Sequence, residues 1–75
     1  MALEYAYAYA EIDNASNMCI GLLDSSNPNM AGPTGLGTTY IVIPEYNEEY
    51  FMKYYSFDTE KWYYDADMTQ EFIIE

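Results

Sequence analysis

Acidic side chains occur in close pairs along this chain, and paired carboxylates can act as general acid and base or as ligands of calcium. The pairs are Glu48 with Glu49, Asp58 with Glu60, and Asp65 with Asp67. The stretch from Asp65 starts like a calcium-binding loop, but it lacks the third acid, the glycine and the distal glutamate at the required spacing. We therefore interpret these carboxylates as solvated surface groups and expect no metal site.

Nucleophilic catalysis needs a hydroxyl or a thiol with an activating group beside it. Ser25 and Ser26 have no histidine base, because the chain contains no histidine. Cys19 lies in an apolar run and has no cationic neighbour in sequence that could lower its pKa. The sequence therefore predicts a protein that is not an enzyme and needs no cofactor, with Cys19 as a small buried hydrophobic residue.

The ten tyrosines and the single tryptophan, Trp62, offer chemistry of another kind. Tyrosine is enriched at contact surfaces because its ring is apolar and its hydroxyl tolerates water. A small core cannot bury ten phenols and satisfy every hydroxyl, so some rings must face water or a neighbour. Trp62 with Tyr63 and Tyr64 could also stack on a sugar ring, which makes a carbohydrate-binding module a further alternative, although a core anchor is the commoner role.

Tyrosine and alanine alternate from Tyr5 to Ala10, which is the period of a strand and not that of a helix. In a strand, Tyr5, Tyr7 and Tyr9 point to one side and the alanines point to the other. We expect the alanine side to face the core, where small residues allow close packing against Ile20, Leu22 and Ile43.

The tyrosine side of this strand would then form an interface, consisting of Tyr5, Tyr7, Tyr9, Tyr40 and Trp62. Such a row exceeds the apolar patch that monomers usually leave exposed. The sequence therefore predicts a homo-oligomer. The reversed arrangement, with tyrosines in the core and alanines at the surface, would suit a monomer.

Turn-forming residues divide the chain into short segments of β type. Strands are predicted over residues 3–12, 18–24, 40–44 and 61–65, and residues 71–75 can form a final strand. Gly21 indicates a bulge or a close backbone approach, and Pro44 marks a strand end or edge. Asn47 is a suitable N-cap for one short helical turn over residues 50–54.

The fold class predicted from these segments is mainly β, a small antiparallel sheet or sandwich with one short helical turn. Residues 1–75 form a single domain with a Gly/Pro-rich loop at residues 25–39, which we interpret as a solvated connector. One cysteine allows no internal disulfide and no zinc site. Oligomerisation is then the remaining way to support so small a core.

The charge of the chain limits its partners. Thirteen acidic residues against Lys53 and Lys61 give a formal net charge of −11, which repels nucleic acid and anionic membranes. The first residues lack the pattern of a signal peptide, and no apolar run has the length of a membrane span, so we expect a soluble protein made in the cytoplasm. Such a charge also permits an acidic DNA mimic that inhibits a restriction or CRISPR nuclease.

Four motifs follow one another in a distinctive order: CIG at residues 19–21, IVIPEY at 41–46, KYY at 53–55 and KWYYD at 61–65. This order resembles a family of small proteins and terminal modules encoded beside tail-fibre and baseplate genes of tailed bacteriophages. Phe51 and Met52 stand where that pattern often has Leu-Gly.

The resemblance implies a structural protein of the phage tail, a fibre or baseplate accessory located in the virion. It implies no catalytic residues. Its partners would be further copies of itself, with a trimer favoured by analogy to phage fibres, other tail proteins, and host-surface carbohydrate.

Overall fold

Two small antiparallel sheets account for most of the regular structure in the computed structural model, which describes residues 7–73. The first sheet has the strand order β2-β1-β4-β3, with β1 at Tyr7–Asp13, β2 at Cys19–Ser25, β3 at Gly32–Pro33 and β4 at Thr38–Ile43. The second has the order β5-β6-β7, with β5 at Tyr54–Ser56, β6 at Lys61–Tyr63 and β7 at Glu71–Phe72. The mainly β class predicted from the sequence is confirmed.

Within residues 7–73, the single helical element is one turn of 3-10 helix at Glu48–Tyr50. Asn47 caps it as predicted, because its side-chain oxygen accepts a hydrogen bond from the backbone N–H of Glu49 at 2.9 Å. The predicted extent over residues 50–54 is wrong beyond Tyr50, because the 3-10 turn ends there and Tyr54 already belongs to β5.

The segment predicted as a loop at residues 25–39 contains more structure than a connector. Gly32 and Pro33 of β3 pair with Tyr40 and Thr39 of β4, so β4 begins before the predicted boundary. Proline is accepted here because β3 is an edge strand, where no partner needs its missing N–H. Pro44 follows β4 directly and ends it, as predicted.

Strand β1 lies in the middle of the first sheet, with β2 on one side and β4 on the other. Its alanine side is buried, as predicted, and Ala8 and Ala10 belong to the core cluster. The core draws on both sheets and on the 3-10 turn; its members are Ala8, Ala10, Ile12, Cys19, Ile43, Tyr50 and Phe72.

A β-bulge in the β1–β2 pair sets which side chains of β2 reach this core. Glu11 lies opposite Gly21 and Ile12 lies opposite Cys19, so Ile20 is the extra residue. The bulge predicted at Gly21 is confirmed, and a Cβ at this glycine would lie 3.3 Å from Oε1 of Glu11. The expectation that Ile20 faces the core is wrong, because the bulge leaves its side chain 46% exposed. Leu22 packs against the core as expected.

The tyrosine side of β1 is not an open row. Tyr9 is fully buried, and its hydroxyl donates a hydrogen bond to the backbone carbonyl of Asn27 in the loop after β2. The expectation that Tyr9 lies outside is wrong, because this loop returns over a central strand. Tyr7 is 37% exposed, and Tyr5 lies outside the described residues.

Backbone hydrogen bonds join the two sheets near the β1–β2 turn. The N–H of Cys19 donates to the carbonyl of Lys53 at 2.8 Å, and the N–H of Met52 donates to the carbonyl of Cys19 at 2.9 Å. Asn17 and Tyr55 exchange two further bonds, one of them from the Asn17 side chain. The position of the second sheet is therefore determined by main-chain contacts as well as by the shared core.

Asp65, one member of an acidic pair, has a structural role in the turn before β7. The carboxylate of Asp65 accepts hydrogen bonds from the backbone N–H groups of Thr69 and Gln70 and from the Thr69 hydroxyl. These hydrogen bonds hold the pKa of Asp65 below its usual value. The bond from the Thr69 side chain has the largest effect, followed by the bond from the Gln70 backbone.

We expect Asp65→Asn to destabilise the protein most at neutral pH. Because the folded state lowers the pKa of Asp65, its stabilising effect is complete above the unfolded value and is lost as the pH falls below about 4. Urea unfolding of both proteins from about pH 3 to pH 7 measures this. The difference in unfolding free energy should shrink on acidification, and a difference independent of pH would contradict the assignment.

Candidate functional site

A groove with a volume of ≈ 560 Å³ lies where β4 meets the second sheet. Four aromatic residues line it, together with a carboxylate and the apolar residues of β4. We call it the aromatic groove and define it by Tyr40, Tyr50, Tyr55, Glu60 and Trp62.

Trp62 is the centre of the ring cluster in this groove. It lies directly opposite Tyr55 in the β5–β6 register, and the two ring centroids are 5.1 Å apart. The ring of Tyr50, supplied by the 3-10 turn, lies 4.6 Å from Trp62. Direct cross-strand pairing of aromatic residues stabilises a short hairpin, so the same contacts that hold β5 and β6 together also shape the site.

The structure brings together only part of the interface predicted from the sequence. Tyr40 and Trp62 share the aromatic groove, Tyr7 lies apart at the start of β1, and Tyr9 is buried. Tyr50 and Tyr55 were not predicted as site residues. The tyrosine-rich segment at residues 50–55 was the available signal, but only the tertiary fold places it beside Trp62.

The rings do not form a flat platform for a sugar. The Trp62 ring is inclined by 49° to Tyr50 and by 58° to Tyr55, and Trp62 is half-buried. The carbohydrate alternative requires exposed, coplanar rings, so the geometry of these three residues does not favour it.

Carboxylates make the groove electronegative. Burial first, and then the charge of Glu60, raise the pKa of the Tyr55 hydroxyl. The pKa of the Tyr50 hydroxyl is likewise raised, first by burial and then by the charge of Glu45. Both hydroxyls therefore stay protonated at physiological pH and can donate hydrogen bonds, while the nearby carboxylates attract a cation.

The two lysines of the chain are engaged elsewhere. Lys53 Nζ lies 5.0 Å from the ring centroid of Phe72 and 5.5 Å from that of Tyr64, within the range of a cation–π contact. Lys61 Nζ lies 3.6 Å from Oε1 of Glu71. The negative charge beside the aromatic groove is therefore not neutralised by a lysine of this chain.

The site contains groups that bind and none that are activated for reaction. Cys19 is fully buried, its thiol donates to the carbonyl of Gly21, and burial raises its pKa, so a nucleophilic thiolate is disfavoured. Among residues 7–73, no three potential metal ligands lie together. The groove can provide ring faces, tyrosine hydroxyls and the Glu60 carboxylate, which suits recognition of an apolar or cationic group.

In the part of the chain that the structure describes, no helix is both long and apolar enough to cross a membrane.

Comparisons with known proteins provide no function that could be transferred to this chain. No family model, curated protein or solved structure matches the sequence or the fold, so function must be inferred from the groove and the surrounding surface.

Proposed function

We propose that this chain is an interaction protein of a bacteriophage tail, a fibre or baseplate accessory that acts through protein contacts. The observation that carries the proposal is a surface rich in large apolar side chains on a fold with no activated nucleophile among its described residues. The exposed ones are Tyr7, Ile20, Leu36, Val42, Tyr46, Phe51, Met52, Phe57, Tyr64 and Ile73. Where exposed apolar side chains lie together on one face, they indicate a surface that a partner covers.

Self-association is part of this proposal, with a trimer favoured by analogy to phage fibres. Tyr7 and Val42 support it, because both are exposed and the β1–β4 register places them on the same face of the first sheet. The net charge of −11 opposes association at long range. At physiological salt, however, the repulsion between subunits is screened beyond about 8 Å. Close apolar contact then determines whether the subunits associate.

Mass spectrometry of virions purified from the phage that encodes this chain tests the tail assignment. We expect its peptides to persist through purification at a level comparable with those of other tail proteins. Their absence from intact virions would contradict the assignment.

Light scattering at several salt concentrations tests self-association. We expect a mass of about three protomers that changes little with salt, and we expect Tyr7→Glu to reduce it while the circular dichroism is retained. Leu36→Glu is the matched control, because Leu36 is 87% exposed in a loop. A wild-type monomer at high micromolar concentration would exclude self-association.

An acidic inhibitor of a nuclease is the alternative function. The net charge of −11 supports it, as do the contacts that hold Lys53 and Lys61 against other side chains of the chain. It predicts tight binding to a basic nuclease that weakens steeply with salt. Such binding, together with absence from virions, would favour the inhibitor over the tail protein.

A further inference from the structure

One edge of the first sheet is open along the second half of β4. Strand β3 pairs only with Thr39 and Tyr40. The carbonyl of Thr38 accepts a bond from the Thr34 N–H on the β3 side, and backbone groups two residues apart in a strand point the same way. Val42 therefore directs its N–H and C=O to this edge, where they meet no backbone partner within residues 7–73.

Within β4 itself, this edge lacks the charges and bulges that usually protect a strand from pairing, and Pro44, which has no N–H, ends it. Natural edges carry charges, bulges or covering segments. Strand β4 contains no charged residue, and the side chain of Val42 is 55% exposed. At the other edge of the same sheet, β2 carries the bulge at Ile20 and the exposed carboxylate of Asp24. The β4 edge is the one suited to accept another strand.

The aromatic groove lies directly beside the open edge, since Val42 and Ile43 line it together with Trp62. A strand added to β4 would direct every second side chain toward the ring cluster. The main-chain pairing site and the side-chain pocket are thus contiguous, as strand-addition recognition requires.

The charges beside the groove indicate the occupant. Glu60 lines the groove. The Glu45 carboxylate is also near, because its charge is the second cause, after burial, of the raised pKa of the Tyr50 hydroxyl. A lysine or arginine side chain would find a carboxylate and several ring faces there. A second copy of this chain is a poorer match, because it carries the same charge of −11.

We propose that the β4 edge and the aromatic groove bind an extended segment of a basic partner protein. The segment pairs with the Val42 backbone and places a lysine or arginine side chain among Tyr50, Tyr55 and Trp62, next to Glu60. This inference rests on the β4 edge and the groove, and it holds for a tail protein and for an inhibitor alike.

The test uses the ¹⁵N-labelled full chain and a short capped peptide that alternates valine with lysine. On titration we expect shifts of the Val42 amide and the Trp62 indole signals in NMR spectra, and binding that weakens with salt. The same peptide with glutamate in place of lysine should bind at least about tenfold more weakly. Equal binding of both peptides would overturn the charge argument.

Val42→Pro removes the edge N–H and leaves the pairing of β4 with β1 intact, so it should abolish binding while the fold is retained.

Glu60→Gln should weaken binding of the lysine peptide about tenfold and leave that of the glutamate peptide unchanged or stronger. A lysine peptide N-methylated at alternate residues provides the same backbone test without any change in the protein, and undiminished binding would overturn strand addition. Shifts of the Trp62 indole signal that grow with protein concentration alone would show that a second copy occupies the groove. Shifts of Trp62 with a neutral oligosaccharide but not with the lysine peptide would favour a sugar, and either result would refute the proposal.

Discussion

Replacing Tyr9 by alanine is expected to lower the free energy of unfolding by about 3–5 kcal/mol, the range for truncating a large buried aromatic residue. Tyr9 is fully buried, its ring lies 6.5 Å from that of Tyr40 in an edge-to-face arrangement, and its hydroxyl bonds to Asn27. The loss would be a large part of the stability of so small a domain. Urea unfolding followed by circular dichroism measures it.

Two further variants separate the contributions of Tyr9 and its neighbour. Tyr9→Phe retains the ring and removes the bond to the Asn27 carbonyl, so we expect a loss of about 1 kcal/mol. Tyr7→Ala is the matched control from the same side of β1, and it should cost much less because Tyr7 is exposed. Equal losses for Tyr7 and Tyr9 would contradict the burial of Tyr9 by the loop.

Replacing Ile12 by alanine is expected to destabilise the protein by about 2–5 kcal/mol, because the truncation leaves a cavity among residues that cannot fully collapse. Ile12 is fully buried and belongs to the core that both sheets share. Trp62 packs against this core, so its fluorescence during urea unfolding provides the measurement.

Ile20→Ala makes the same chemical change on the neighbouring strand. The β-bulge leaves Ile20 as the unpaired extra residue and exposes it, so we expect a loss of only about 0.5 kcal/mol. The comparison is a direct test of the register. If Ile20→Ala were as damaging as Ile12→Ala, β2 would have to pair with β1 without the bulge.

The sequence by itself determined the features that depend on a few neighbouring residues. Alternating Tyr and Ala indicated a strand, Gly21 indicated the bulge, and Asn47 indicated a capped turn, all of which the structure contains. Each feature follows from backbone sterics or from a short-range hydrogen bond, which operate in any fold that contains the segment.

Only the tertiary structure decided which faces are covered and which side chains meet. Alternation defines two faces of β1, but the strand order places β1 in the centre, and the following loop closes over Tyr9. The position of the bulge, rather than hydrophobicity, decided that Ile20 is exposed. Tyr50 and Tyr55 join Trp62 through contacts between elements, and such long-range packing has no signature in the local sequence.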